Sequence, residues 1–324
     1  MNARVLALVS LAAICVIWGT TYLAIKVALE SIPPLLLGGT RYLLAGVVLL
    51  GALTPARGVG VTLMRGWRSA VPSAFLLLVL GNGGVIVAEQ WVSSGLAALM
   101  VATTPFWLIA VERMSRPGVE LSKSTMFGLM TAFCGVSVLA WPSLESSSVG
   151  HVKSILGIVC LQVACAGWAL GSRLAVRSSS SGDDLAQTGR VMMAAGAMMT
   201  AGGTCLGEWQ NLRPTLAGSA ALLYLALVGG LVALAAYFHA LRHLPVTLVS
   251  VHAYINPIVA LVLGTIFLSE PLAYSTLAAA ALILCGSAIV ATAYLGRSAQ
   301  QAQSGSVPDC RGPNANVIVP STTT

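Results

Sequence analysis

The stretch Trp18-Gly19-Thr20-Thr21-Tyr22-Leu23-Ala24-Ile25-Lys26 sets a tryptophan, a tyrosine and a lysine four residues apart within apolar sequence. On a helix these three side chains share one face, within an arc of roughly 80°. Rings with polar tips, followed by an ammonium, can hold a small polar solute by stacking, hydrogen bonding and charge. Other polar residues recur in apolar surroundings: Arg41, Asn82 with Glu89 seven residues on, and His252 with Asn256 beside Pro257. These types suit binding and release. The hydrolytic patterns HExxH and GxSxG are missing, and the aspartates (Asp183, Asp184 and Asp309) fall outside the apolar runs, so an enzyme is not expected.

The elements that must carry these residues are long and apolar. The chain has 324 residues, 57% hydrophobic and 8% charged, against about 25% charged in soluble domains. Its apolar residues form ten runs, near 6–29, 35–54, 70–90, 94–112, 125–142, 153–173, 186–207, 216–238, 246–268 and 273–295. Each is long enough to cross a hydrocarbon core of about 30 Å as a helix. The expected fold is therefore an all-α integral membrane protein with ten transmembrane helices. The first run is read as a retained helix, because it lacks a small-x-small cleavage site before its polar break. Residues 298–324 are polar and predict a disordered cytoplasmic tail.

Charge orients the helices. With the connectors assigned to alternate sides, thirteen of the seventeen Lys and Arg residues fall on one side, leaving Lys26, Arg41, Lys153 and Arg213 on the other. The positive-inside rule makes the rich side cytoplasmic and puts both termini there. The net charge of +7 thus reports topology and gives no support to nucleic-acid binding. Six of the seven cysteines lie inside apolar runs, without metal-ligand spacing, so no metal or other cofactor is expected.

The two halves echo each other. Cys15-Val16-Ile17-Trp18 returns as Cys165-Ala166-Gly167-Trp168, Thr104-Pro105 as Asn256-Pro257, and Cys134-Gly135 as Cys285-Gly286, all at offsets of 150 to 152 residues. A constant offset points to duplication. Each half holds five helices, an odd number, so the second half enters the membrane inverted. Inverted repeats recur in secondary transporters that work by alternating access, with sites near the midplane where equivalent helices are interrupted. Pro105 and Pro257 are such interruptions, freeing the carbonyls of Val101 and Ala253. The first repeat spans 5–142 and the second 153–295.

The quoted stretch, continued as WGTTYLAIKVALESIPPLLLGGTRYLLAG over 18–46, resembles the start of EamA-type members of the drug/metabolite transporter superfamily. GNGGVIVAEQWVSSGLAALMVATTPFW over 81–107 is most similar to the YedA-type exporters of that group, and INPIVALVLG over 255–264 continues the pattern. The resemblance covers residues 5–295. It implies two inverted five-helix EamA repeats around a central cavity, and export of amino acids, metabolites or drugs across the inner membrane. The second repeat departs from the first, with Ala169-Leu170 after Trp168 where the first has Gly19-Thr20, so the halves are expected to contribute unequally.

For several residues the sequence leaves two readings open. Lys26 either snorkels or pairs structurally, or it lines the cavity above Trp18 and Tyr22. Lys26, Arg41 and Glu89 lie at similar depth on three successive helices, so an ion-pair network is expected, either structural or one that gates the outer mouth or binds a zwitterionic substrate. Glu89 is the candidate if a proton is the coupling ion, with Arg41 acting against it. His252 and Asn256 either bond helix to helix or touch substrate, and Trp107 is the matching candidate after Pro105. No Walker-type loop is present, so transport should run on a gradient. An importer, or a receptor or scaffold without flux, stays open, as do a monomer and a homodimer.

Overall fold

The computed structural model describes residues 3–57, 66–115, 123–144, 149–178, 184–244, 249, 252–270 and 273–303. All of its regular elements there are helical: α1 (Ala3–Leu29), α2 (Pro34–Arg57), α3 (Trp67–Ala88), α4 (Ser94–Val101), α5 (Thr104–Ser115), α6 (Lys123–Leu144), α7 (Val149–Ser178), α8 (Asp184–Cys205), α9 (216–243), α10 (His252–Leu268) and α11 (Tyr274–Gln303), with a short 3-10 turn at Glu208–Asn211. Each of the ten apolar runs carries a helix. Among the described residues, α1, α2, α3, α7 and α9 are long and apolar enough to cross a membrane by themselves. Helix α11 continues through Gln303, six residues into the segment expected as tail. The rest of that tail (304–324), Pro245 and Pro271 lie outside the described residues.

The run at 94–112 is two helices, not one kinked helix. Pro105, second residue of α5, has no N–H to return to Val101, and the hydroxyl of Thr104 donates to that carbonyl instead (2.6 Å). Thr103 does the same for Met100, also at 2.6 Å, which closes α4 and lets the chain restart. Pro257 behaves differently: it sits inside α10, which runs unbroken from His252 to Leu268. The two prolines therefore interrupt their helices unequally.

A second irregularity is shared. Helix α3 widens to a π-helix over Phe75–Asn82, and α9 widens over Leu225–Val232. Both stretches have eight residues, and they stand 150 residues apart. π-turns are rare, and they gather at functional sites because they displace backbone and side chains from the α-helical register.

Long helix pairs hold the bundle together: α2 lies along α8, α6 along α11, and α1 against both α9 and α10. Glycine permits the closest of these approaches. A Cβ on Gly39 would stand 2.7 Å from the main-chain nitrogen of Thr200, and one on Gly128 would stand 2.7 Å from the carbonyl oxygen of Gly286. Small residues matter because lipid gives helices no hydrophobic reason to associate, leaving dispersion at close range to do so. Outside, Phe127, Phe133, Ile266 and Phe267 are about two-thirds exposed, the outward apolar surface that a bilayer requires.

Candidate functional site

A cavity of about 210 Å³ lies where α1, α2, α3, α4, α5, α7, α9 and α10 converge. Trp18 lines it. The indole ring packs edge-on to Trp168 (centroids 6.3 Å apart), lies 5.1 Å from Tyr237 and 5.0 Å from His252, and its Nε1 donates to the carbonyl of Gly229 at 3.2 Å. That carbonyl belongs to the wide stretch of α9, whose turns set it facing α1. Four rings from four helices thus form one aromatic wall. Tyr237 and His252 complete it, with centroids 5.7 Å apart.

The remaining lining is largely apolar but includes a polar cluster. Arg41, only 4% exposed, donates from Nη2 to the hydroxyl of Tyr42 (2.7 Å) and to Oδ1 of Asn82 (3.1 Å), and its guanidinium lies 4.5 Å over the Tyr42 ring. Its Nε and Nη1 have no hydrogen-bond partner. Asn82 ends the π-stretch of α3, which brings the amide to Arg41. Tyr22 continues the Trp18 face along α1 and also lines the cavity. Asn256, in the amide orientation that its surroundings require, donates to the carbonyls of His252 and Cys15 at 2.9 Å each, tying α10 to α1.

Eight of the twelve residues singled out by sequence therefore line one cavity: Trp18, Tyr22, Arg41, Asn82, Trp168, His252, Asn256 and Pro257. Four do not. The ammonium of Lys26 pairs with no carboxylate among the described residues; it donates to the main-chain carbonyls of Glu89 (2.5 Å) and Val92 (2.8 Å). The expected ion-pair network is thus replaced by a lysine capping the end of α3, a helix C-terminus whose carbonyls attract a cation. The Glu89 carboxyl is fully buried within electrostatic reach of Lys26, Arg41 and Glu270, yet neither of its oxygens accepts a hydrogen bond. Trp107 lies outside the cavity lining and donates to Gln162 of α7 at 3.0 Å, bracing the restart of α5 after Pro105.

Five residues were missed. Tyr42 and Tyr237 look like membrane aromatics in sequence, although one adjoins Arg41. Gln162, an amide within an apolar run, accepts from Trp107, lies 3.2 Å from the Thr103 hydroxyl, and holds the α4–α5 break against α7. Glu208 and Glu270 read as mere punctuation, yet each caps a helix of the other half. Glu208 accepts from the N–H groups of Leu35 and Leu36 (3.3 and 2.9 Å), and Glu270 from Ser94 N (2.8 Å), Ser94 Oγ (3.0 Å) and Gly95 N (3.3 Å).

The family model for EamA-like transporters matches the chain twice, over residues 5–141 and 155–292. The chain belongs to the EamA family. Among related proteins, this EamA chain is 35% identical over 259 residues to "Uncharacterized inner membrane transporter YedA" of Escherichia coli K12, covering 79% of this chain and 81% of that protein. It is 24% identical over 282 residues to "Uncharacterized transporter YvbV" of Bacillus subtilis 168, covering 87% and 90% of the two. It is 28% identical over 162 residues to "Probable amino-acid metabolite efflux pump" of Escherichia coli K12, covering 49% of this chain and 50% of that one. A crystal structure with 18% identity superposes with a TM-score of 0.58 over 90% of this chain and 97% of the other, so the fold is shared.

Proposed function

We propose that this EamA protein is a secondary active transporter of the inner membrane that exports small metabolites by alternating access. In this reading ten spans form two inverted five-helix repeats, 5–142 and 153–295, both termini are cytoplasmic, and the cavity around Trp18 is the substrate site. The observation that carries it is the cavity itself. Residues from both halves, Arg41 and Asn82 with Trp168 and His252, meet in it, as a site between moving repeats requires. The doubled family match and the recurrence of the π-stretch at an offset of 150 residues support the repeat. The YedA relative supports the membrane, and the name of the efflux pump supports the direction.

Export needs a source of energy, and the sequence holds no nucleotide-binding loop. Coupling to a proton is the reading that Glu89 supports, as a buried carboxyl within electrostatic reach of Arg41 and without a hydrogen bond of its own.

The test is a growth-inhibition series. Cells overproducing the protein, beside cells with equal membrane levels of Trp18→Ala, are challenged with toxic amino-acid analogues, other toxic organic acids, nucleoside analogues and cationic drugs. Resistance to one class, lost in the variant, establishes export. Greater sensitivity in the overproducing cells would instead establish uptake and overturn the direction.

A further inference from the structure

The cavity is lined by a guanidinium whose donors are only partly used. Among the described residues that line it, Arg41 is the one that is always charged, and none is an Asp or Glu. Its side chain is more than nine-tenths buried, and the Nη2 donors are taken by Tyr42 and Asn82. Nε and both hydrogens of Nη1 meet no acceptor. Buried donors left unmade are costly, and a buried cation more so, unless an anion completes them. Asn82 has committed its carbonyl oxygen to Arg41, so what remains of that amide is donor as well. Lys26 is not a competitor, since it is bound to the carbonyls of Glu89 and Val92. Glu89 is within electrostatic reach of Arg41, but it is absent from the cavity lining and its oxygens accept no hydrogen bond.

We propose that the cavity of this transporter selects organic monocarboxylates of about amino-acid size, with Arg41 and Asn82 gripping the carboxylate and the Trp18–Trp168–Tyr237–His252 wall receiving the carbon skeleton. A carboxylate offers acceptors that match the free N–H groups of Arg41. One guanidinium balances one negative charge, whereas a doubly charged phosphate would carry an uncompensated charge into the apolar interior. The volume sets the size: about 210 Å³ is below the roughly 300–1,000 Å³ of sites for drug-sized ligands. The aromatic wall favours planar or branched apolar skeletons. A bare organic cation is disfavoured because it would sit beside Arg41 without a counter-ion.

The inference rests on the cavity being the transport site, but it is read by binding, which needs no flux. The full-length protein in lipid nanodiscs is titrated with 3-phenylpropanoate, its primary amide, phenethylammonium and inorganic phosphate, and the midpoint of thermal unfolding is followed. The expected result is half-saturation by the carboxylate at a concentration at least tenfold below that of the amide, with little protection from the ammonium ion or phosphate. Arg41→Gln should remove the preference for acid over amide, and Arg41→Lys should keep part of it. Equal protection by acid and amide in the unaltered protein, or protection by phosphate matching the carboxylate, overturns the assignment whether or not either variant folds. Retention of the preference in Arg41→Gln overturns the role of Arg41. Carboxylate preference without flux into proteoliposomes would count against transport and leave the binding assignment standing. Flux of neutral or cationic solutes without carboxylate preference would do the reverse.

Discussion

At the scale of single residues, Lys26 and Trp18 share one face of α1 but do different work. Trp18 reaches into the cavity, while Lys26 stops at the end of α3, where two carbonyls without helical partners accept its protons. Replacing Lys26 with Met keeps the apolar stem and removes the charge. Hydrogen bonds to charged groups contribute about 1.5–3 kcal/mol each, so Lys26→Met should lower the thermal midpoint of the purified protein clearly. Trp18→Phe should leave that midpoint nearly unchanged while weakening ligand protection, because the ring contacts survive and the bond to Gly229 does not. Equal loss of stability in both variants would contradict this division of labour. The polar stripe was legible in sequence because helical periodicity depends only on spacing. What each polar tip bonds to was not, because those partners lie on other helices: Gly229 is 211 residues from Trp18, and Glu89 is 63 from Lys26.

Among the elements, close helix pairs dominate. Gly39 and Gly128 each stand where a side chain would collide with the main chain of a partner helix, whereas a Cβ on Gly51 would meet nothing within 4 Å. Overpacking costs typically about 1–3 kcal/mol, more where backbone must move. Gly39→Leu and Gly128→Leu should therefore cut the yield of folded protein recovered in mild detergent, with Gly51→Leu as the unaffected comparison; equal yields from all three would sink the argument. The helices themselves were readable from apolar run length, and each of the ten runs contains one. The division of 94–112 into α4 and α5 was harder to foresee. Proline announced a disturbance, but Pro105 and Pro257 are equally visible in sequence and only the first ends a helix. The difference lies in Thr103 and Thr104, whose hydroxyls accommodate the freed carbonyls, and in Gln162, which braces the break from α7.

Across the whole molecule, one end of the bundle is laced by polar bonds between distant segments. Arg213 N–H donates to the carbonyl of Ser31, Glu208 caps α2, Lys26 caps α3 and Glu270 caps α4. Two of these ties are carboxylates reaching from the second half of the chain to helix starts in the first. Separating the halves at that end requires breaking both. Cys165 lines the cavity and reports on access to it. In a background without the other cysteines, Glu208→Ala combined with Glu270→Ala should raise the rate at which a membrane-impermeant maleimide modifies Cys165 from the side on which these ties lie. An unchanged rate would mean that the ties do not restrain opening.

The two π-stretches carry information about time as well as space. A wide turn stores one residue more than an α-helical turn, so it records a small insertion that the helix absorbed without breaking. Finding such a record in α3 and again in α9, equal in length and 150 residues apart, is most economically explained by one insertion inherited twice. On that view the bulge is older than the two-part chain. Under the duplication proposed above, the wide turn was part of the ancestral unit before the copy was made.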